Sequence, residues 1–428
     1  MAISDIEGLL KELYSGEVPE AFTMGTSFTS RALQAEKIKA NTRAVVFNLE
    51  TAPGGDFKGI SFDDGAYPKG NQMTTKKGTV SSIGVTLGFN VTQLVEFATK
   101  NNKLAIAPVL EKQVAKSMGT FKLWLECLLN APNNDGILEI LPSNSSGAIY
   151  NINPAGTSGA PFGGYLLIPG GRYDIYDAAT LLTKRSGGPY MIDPDGGLNN
   201  KPGDATPQVT FSTGAITGYV ANDRVVAQDL VSASINPIGY HLRSDTSGTW
   251  QAINRTKIYA QSQTLDAAAA TLDATLVRTL LHGILKFSGD EGSTGELTPY
   301  MAYEQYRNYQ NAAQDISQII LGGVSGGSAV NKNFDLMMGE GRIEGRKILI
   351  GNHCDPTKAF WIDFSQFRWI ETKALDFEKN EAGGYFFRPV STTLGTPLAS
   401  KSWYLTYMCN FAAVDVTRQG VIENLALP

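Results

Sequence analysis

One arrangement of residues in the sequence could attack an ester or amide bond. The run from Gly323 to Gly327 has the pattern G-x-S-x-G, which in serine hydrolases places the nucleophile, here Ser325, on a sharp strand-to-helix turn. Such a serine needs a helix directly after it and a histidine base within hydrogen-bond reach. His353 is the only later histidine, and Asp335 lies between the two. The residues after Ser325 are not typical of a helix, which favours a loop and leaves the hydrolase as an alternative.

Two further runs contain residue types that bind metals. His353 and the two residues after it form one, but neighbouring side chains of an extended segment point to opposite sides, and zinc ligands usually come as separated pairs. The run 193–197 begins like a calcium loop, but Leu198 stands where such a loop needs glycine. We interpret the first as a strand end and the second as a turn. The sequence therefore predicts no metal and no cofactor.

Composition narrows the class of protein. Of 428 residues, 18% are charged and 45 are glycine, and the net charge is −5 with no long basic run. Dedicated nucleic-acid binders usually carry a basic face, so direct DNA or RNA recognition is disfavoured. Three cysteines without a CxxC pair indicate a reducing compartment. The first twelve residues are acidic and amphipathic, and no apolar run is long enough to span a membrane, so we expect a soluble cytoplasmic protein.

The strongest helical signal lies between Leu104 and Asn130. Apolar residues recur there at steps of three and four, the period of one buried stripe: Leu110, Val114, Met118, Phe121, Leu125 and Leu128. Pro108 suits the first turn, and a proline follows the end. Four charged residues mostly avoid the stripe: Lys112, Lys116, Lys122 and Glu126. We interpret this helix as a strut to which the other elements attach.

Two segments before this helix need a surface to pack on. Residues 4–7 form a capping box that starts a short helix, whose apolar face is Ile6, Leu9, Leu10 and Leu13. The strand-like runs 43–51 and 79–92 enclose a polar, glycine-rich connection, which predicts an extended two-stranded hairpin. A lone hairpin is not stable by itself, so it requires a partner. For the short helix, packing on its own domain and docking on another subunit are both open.

The remaining chain mixes strands and helices. Residues 137–231 are predicted to form a small β-barrel or sandwich inserted into the main domain. Helices are predicted at 267–287 and 302–316, and strands at 347–350 and 359–364. The last strand, 403–411, alternates, with one face formed by Trp403, Leu405, Tyr407, Cys409 and Phe411. Helices segregated from largely antiparallel strands indicate an α+β fold.

The order of these elements resembles the major capsid proteins of tailed bacteriophages, which share the Hong Kong 97-type shell fold. Three stretches carry the resemblance. Residues 239–255 contain the pattern Ser-Gly-x-x-x-x-Ile-x-Arg, residues 363–365 form an Asp-Phe-Ser turn, and residues 410–425 resemble the C-terminal strand of the family. The resemblance covers nearly the whole chain.

The resemblance implies a division of the chain into seven parts. These are an N-terminal arm (1–42), an E-loop hairpin (43–92), a peripheral domain with the spine helix (93–136), the inserted β-rich domain (137–231), further peripheral strands (232–259), an axial domain (260–400) and a C-terminal strand of the peripheral domain (401–428).

It also implies a function. The chain would assemble with itself, as hexamers and pentamers, into an icosahedral virion shell that encloses the phage DNA without sequence-specific binding. Assembly would occur in the host cytoplasm, with scaffold, portal and decoration proteins as further partners, and with no enzyme activity, cofactor, metal or membrane. The expected inter-subunit contacts are Ile6, Leu9, Leu10, Leu13, Lys69, Lys76 and Lys77. Some relatives join subunits by Lys–Asn bonds, but the sequence assigns no partner to these lysines. The alternatives are a nanocompartment shell of the same fold and the hydrolase using Ser325 and His353.

Overall fold

The computed structural model describes residues 27–40, 43–52, 54–58, 67, 69–92, 103–153, 163–178, 180–199, 206–231, 234–288, 297–321, 342–381, 383–385, 387–388 and 400–427. Its helices are α1 (Ser27–Ala32), α2 (Lys103–Leu129), α3 (Ile238–His241), α4 (Ala274–Ser288) and α5 (Tyr303–Leu321), with 3-10 turns at Ile258–Ala260 and Phe364–Gln366.

The strands are, in chain order, β1 (Glu36–Lys39), β2 (Ala44–Ala52), β3 (Thr74–Ser81), β4 (Ile83–Thr92), β5 (Ile137–Leu141), β6 (Ser143–Ser146), β7 (Ile149–Asn151), β8 (Arg172–Tyr176), β9 (Tyr190–Met191), β10 (Leu198–Asn199), β11 (Gln208–Thr210), β12 (Asp223–Ala227), β13 (Thr249–Trp250), β14 (Ile253–Asn254), β15 (Gln263–Asp266), β16 (Thr298–Met301), β17 (Arg342–Ile343), β18 (Arg346–Lys347), β19 (Leu349–Ile350), β20 (Ala359–Ile362), β21 (Phe367–Phe377), β22 (Ser400–Ala413) and β23 (Gly420–Glu423).

A four-stranded sheet in the order β1-β21-β22-β4 packs on α2. The long strand β22 lies in its interior, and the predicted alternation is confirmed, since all five apolar residues of one face are 8% exposed or less. One of them, Tyr407, lies against Phe121 of α2, with ring centroids 6.4 Å apart. This face of the sheet and the helix together form the centre of the main core.

Helix α2 has 27 residues, which corresponds to about 40 Å at 1.5 Å per residue. The predicted stripe is confirmed in its C-terminal half, where Met118, Phe121, Leu125 and Leu128 are buried. Lys122 and Glu126, which lie beside that stripe, are also buried. The helix is covered on more than one side here: besides the sheet, it contacts residues 137–231 through Trp124, which lies 5.2 Å from the ring of Tyr173.

A second core lies beneath a five-stranded sheet in the order β15-β23-β20-β16-β19. Helix α4 packs closely on β23, where a Cβ added at Gly420 would lie 2.7 Å from Ile284 Cδ1, so a side chain there would displace the end of Ile284. The end of the chain is held along α5, since Gln305 Nε2 donates to the Ala426 carbonyl at 2.8 Å.

Residues 137–231, called the inserted domain below, are β-rich, as the sequence indicated. They form two four-stranded sheets, β10-β11-β7-β6 and β5-β12-β8-β9. Phe211 lies between Tyr150 and Tyr190 with ring centroids 5.7 and 5.8 Å apart. Arg185 makes two hydrogen bonds, of 2.7 and 2.6 Å, to the fully buried carboxylate of Asp223.

Several sequence-based boundaries are wrong. The predicted strand 79–92 is two strands: β3 pairs with β2, whereas β4 pairs with β22 in the main sheet. Helix α4 begins at Ala274 rather than near 267, because Ala267 donates a backbone hydrogen bond to Glu423 at the end of β23 and Ala269 donates one to Asn424. Asp273 accepts from the backbone N–H of Leu276 in the first turn of the helix.

The C-terminal region also differs from the expectation of one peripheral strand. It contains β22 in the four-stranded sheet and β23 in the five-stranded sheet, and β21, expected in the axial part, pairs with β22. Residues 27–40, expected in a loose N-terminal arm, pack in the main fold, where β1 pairs with β21. The mixed helix and sheet content is confirmed, and the division into shell domains stays a prediction.

Candidate assembly surfaces

The most prominent surface feature is an extended hairpin, residues 44–81, which we call the hairpin arm. Its base is fixed to the main sheet: Val80 is buried in a small cluster with Ala40, Ile370 and Ala412. Nearby, the Thr79 backbone N–H donates to the Gln251 carbonyl at 2.8 Å. The base of the arm is therefore a rigid attachment point.

The two strands of the hairpin arm stay paired well beyond this base. Gly55 N–H donates to the Asn71 carbonyl at 2.8 Å, and Thr51 Oγ1 donates to the Thr74 carbonyl at 3.1 Å. A Cβ added at Gly54 would lie 2.8 Å from the Met73 backbone nitrogen, so the strands approach too closely there for a side chain. From residue 79 to residue 71, eight residues at about 3.3 Å each extend the arm by roughly 26 Å.

The outer part of the hairpin arm exposes large apolar side chains. Phe57 is 101% exposed, Tyr67 is 86% exposed and Met73 is 57% exposed. Single exposed apolar residues are common, but several on one thin projection mark an interaction site. A two-stranded ribbon has no core of its own that could cover them.

The predicted arm lysines do lie on this projection. Lys69, Lys76 and Lys77 are all exposed, and Lys76 and Lys77 stand opposite Leu49 and Asn48 in the strand register. As consecutive residues of one strand, Lys76 and Lys77 point to opposite faces. Among the described residues, none of the three lysines forms an ion pair. Their role in contacts between subunits stays a prediction.

The four predicted contact residues of the N-terminal helix, Ile6, Leu9, Leu10 and Leu13, lie outside the described residues. The described chain begins with α1, which is held on α2 by hydrogen bonds to Glu126. This carboxylate accepts hydrogen bonds from the Thr29 backbone N–H at 2.8 Å, the Thr29 hydroxyl at 2.6 Å and the Phe28 N–H at 3.3 Å. Phe28 is fully buried, 4.8 Å from the ring of Tyr300. Sequence reasoning missed this anchor, because it placed Glu126 away from the buried stripe.

A buried polar junction lies next to the base of the hairpin arm. Trp250 Nε1 donates to His241 Nδ1 at 3.0 Å, so the imidazole proton is on Nε2, which donates to the Phe411 carbonyl at 3.2 Å. Burial lowers the pKa of His241 to about 3, and the nearby Arg255 acts in the same direction. Tyr240 links the junction to the arm, because its hydroxyl accepts from the N–H of Gln251 at 2.7 Å. These residues lie within the stretch 239–255 that carried the family resemblance.

The candidate hydrolase residues are only partly described. Ser325 and Asp335 lie outside the described residues. His353 Nδ1 donates to the Tyr165 carbonyl at 2.7 Å, so a backbone oxygen occupies the side of the ring that an orienting carboxylate takes in a catalytic triad. The carboxylate of Asp355 instead accepts from the Thr357 N–H and hydroxyl, at 2.9 and 2.7 Å.

The three residues of the His353 run do not converge on a common point. Cys354 is buried, and Asp355 closes a local turn with Thr357. No group of three or more metal-ligating side chains occurs in the part of the chain that the structure describes. Cys127, Cys354 and Cys409 are all buried free thiols. No described helix is both long enough and apolar enough to cross a membrane.

Comparisons with known proteins find similarity in structure only. No family model matches the chain, and no curated protein matches it. Among solved structures, the cyanophage A-1(L) capsid is 11% identical, with a TM-score of 0.48 over 91% of this chain and 90% of that chain. The capsid of a native GTA particle is 9% identical, with a TM-score of 0.46 over 93% and 91%.

An encapsulin is similar as well. The SrpI encapsulin of Synechococcus elongatus PCC 7942 is 7% identical, with a TM-score of 0.42 over 92% of this chain and 88% of that chain. By their descriptions, two of these neighbours are capsids and the third is an encapsulin. Since all three TM-scores lie below 0.5, we derive the function below from the contacts of this chain.

Proposed function

We propose that the chain is a major capsid protein of the tailed-phage type. It assembles with itself, as hexamers and pentamers, into an icosahedral shell of the Hong Kong 97-like fold that encloses the phage genome. The observation that carries this proposal is the hairpin arm, a rigidly based projection whose outer part exposes Phe57, Tyr67 and Met73 to solvent. Scaffold, portal and decoration proteins are further partners under this proposal.

The energetics of the hairpin arm favour a partner surface. Covering a large apolar side chain stabilises by about 1.5–3 kcal/mol, so two or three such residues at one contact outweigh the ordering cost of a short tip. A second copy of the chain is the simplest partner, because each copy then both supplies and receives an arm. Such heterologous contacts close into rings when the rotation between copies closes.

The N-terminal helix and the arm lysines belong to the same proposal. The apolar face of Ile6, Leu9, Leu10 and Leu13 docks on a neighbouring subunit, and Lys69, Lys76 and Lys77 lie at or near contacts of the arm. Because α1 and β1 pack in the main fold, a truncation that tests the N-terminal helix must end at residue 26. We expect this truncated chain to remain soluble and to assemble poorly.

The experiment that tests the proposal removes the apolar tip. The double variant Phe57→Ser, Tyr67→Ser is compared with Leu182→Ser, which changes an equally exposed residue, at 84%, on the inserted domain. Since both tip residues are exposed in the single chain, unfolding of the isolated subunit should change by less than about 0.5 kcal/mol.

Assembly should respond differently. Losing the burial of one tip residue at each contact raises the critical concentration for particle formation by about tenfold or more. Light scattering and electron microscopy measure that concentration. Normal particle yield from the tip variant, or an equal loss from Leu182→Ser, contradicts the proposed role of the arm.

A further inference from the structure

The β13–β14 hairpin contacts the hairpin arm from the body of the subunit. Its two-residue turn, Gln251 and Ala252, lies against β3, where the Gln251 carbonyl accepts from the Thr79 N–H at 2.8 Å. A Cβ added at Gly78, the preceding residue of β3, would lie 3.6 Å from Gln251 Oε1 and 3.6 Å from Ile253 Cδ1. The turn therefore packs directly on the arm at a position where β3 has no side chain.

The turn is itself fixed to the main fold. The Gln251 N–H donates to the Tyr240 hydroxyl at 2.7 Å, and that hydroxyl donates to the Thr249 carbonyl at 3.3 Å. The neighbouring Trp250 is fully buried and donates to His241 at 3.0 Å. The turn is thus a rigid support, and a change in the angle of the arm has to break its contact with β3.

The arm has only a short connection to the sheet below it. A single residue, Ser82, joins β3 to β4. Val80 and Ser81 are held at this point, Val80 in its apolar cluster and the Ser81 carbonyl by Asn410 Nδ2 at 2.6 Å. Gly78 lies farther out along the arm, so its contact with the turn acts on a longer lever. The turn is therefore well placed to set the direction of the arm.

This contact carries two unfavourable features. Gln251 and Ala252 have φ angles of 49° and 68°, in the left-handed region where hairpin turns of this length usually have Asn-Gly. The Gln251 side chain is 3% exposed, and neither atom of its amide has a hydrogen-bond partner among the described residues. Burying an unpaired amide is costly. If the arm moved away, water could reach the amide, so the side chain that forms the contact also opposes it.

We propose that the β13–β14 turn is a conformational stop that sets the angle of the hairpin arm, and that the buried amide of Gln251 keeps the contact weak enough to open. The arm then has two positions, one against the turn and one swung away from it with Gln251 hydrated. The importance of this angle rests on the proposed function, in which the arm contacts a neighbouring copy. The angle itself is a property of one chain and can be measured without assembly.

Double electron–electron resonance measures the angle in the full-length chain. One spin label is placed at Gln72→Cys near the tip and the other at Thr264→Cys on β15, both exposed positions. The native cysteines are all buried and should not take up label. At about 3.3 Å per residue, Gln72 lies roughly 23 Å from Thr79, so a swing of about 20° moves the label by about 8 Å. The sample is the single-chain fraction from gel filtration.

Two substitutions at Gly78 form a matched pair. The Cβ of Gly78→Ala makes only ordinary contacts, of 3.5 Å to Leu49 Cδ1 and 3.6 Å to Gln251 Oε1 and Ile253 Cδ1. Gly78→Val adds two methyl groups beyond that Cβ and should push the arm off the turn. We expect one narrow distance for the unmodified chain and for the Ala variant. In the Val variant the distance should shift or broaden by about 8 Å or more.

Gln251→Met tests the role of the amide with the opposite sign. Methionine keeps the length and flexibility of the side chain but has no amide to bury. The contact should therefore strengthen, and the Thr79 N–H should exchange with deuterium about tenfold more slowly than in the unmodified chain. Mass spectrometry with fragmentation to single residues measures this rate. A side chain that only fills space predicts no such slowing.

Two results overturn the proposal. One is the same distance distribution in the Val and Ala variants, and the other is Thr79 exchange in Gln251→Met that is as fast as in the unmodified chain or faster. The melting temperature shows whether Gly78→Val remains folded, and the Gln251→Met result decides alone if it does not. Particle formation by the same variants is scored separately by electron microscopy. A chain that shows both shifts without assembling retains the stop and contradicts the shell function.

Discussion

Replacing Glu126 by Gln tests the anchor that holds α1 on α2. The carboxylate is 2% exposed and accepts three hydrogen bonds from Phe28 and Thr29. Glutamine keeps the shape of the side chain but retains only one accepting oxygen and adds an N–H group that faces other donors. At least one buried N–H or O–H group therefore loses its partner.

The expected cost follows from those contacts. A hydrogen bond to a charged group contributes about 1.5–3 kcal/mol, and a buried donor without a partner costs about 1–3 kcal/mol. We expect the free energy of opening α1 to fall by about 2–4 kcal/mol, which corresponds to roughly 30-fold to 1000-fold faster amide exchange of the α1 peptide. Hydrogen–deuterium exchange with mass spectrometry measures this rate in the full-length chain.

A second variant tests the interaction between Thr29 and Glu126. Thr29→Val removes the hydroxyl that donates to Glu126 at 2.6 Å. If the Glu126 carboxylate and the Thr29 hydroxyl act together, the double variant Glu126→Gln, Thr29→Val should lower the free energy of opening α1 by about 1–2 kcal/mol less than the sum of the two single variants. Glu381→Gln, at an exposed position, serves as the control and should not change exchange in α1. Additive effects, or exchange in Glu126→Gln equal to that of the unmodified chain, would refute the anchor.

Three other predictions concern separate parts of the fold. Burial raises the pKa of Glu139 to about 8. The neutral side chain therefore stabilises the folded chain below pH 4.5, and this contribution is lost as the pH rises to 8. In urea unfolding, the stability of Glu139→Gln relative to the unmodified chain should increase between pH 5 and pH 8, by up to about 1.4 kcal/mol per pH unit. Gly54→Ala places a Cβ 2.8 Å from the Met73 nitrogen and should reduce particle yield while leaving the melting temperature within about 1 °C, because the outer arm contributes little to the core. Arg185→Leu leaves the buried carboxylate of Asp223 without its cation and should destabilise the inserted domain by about 3–5 kcal/mol. A thermal scan measures this loss, and an unchanged transition would contradict the role of the ion pair.

The sequence was most informative where a single periodicity was sustained. The stripe of α2 and the alternation of β22 are set by one face packing on one core, and both predictions are confirmed at their described residues. Prediction was wrong where tertiary pairing decides the outcome. The predicted strand 79–92 is interrupted at Ser82, between the hairpin arm and β4. There the Ser82 N–H donates to the Arg43 carbonyl, and the Ser82 hydroxyl contacts Thr372 Oγ1 at 2.5 Å.

The candidate surfaces likewise divide into features that local sequence predicts and features that depend on tertiary packing. The projecting hairpin and its three lysines follow from local composition, so the sequence could locate them. The Glu126 anchor depends on residues far apart in the chain, Thr29 and Glu126. The sequence placed Glu126 beside the apolar stripe, and only the packing of α1 over α2 shows why it is buried.

The central claim is that this chain builds a closed shell by contacts with its own copies. Negative-stain electron microscopy of the purified full-length chain, with mass photometry on the same sample, tests it most directly. We predict closed particles, tubes, or rings of five and six copies, with the hairpin-arm tip variant shifted toward single subunits. Dispersed single chains of 46.0 kDa at every concentration, with or without the arm substitutions, would contradict the account.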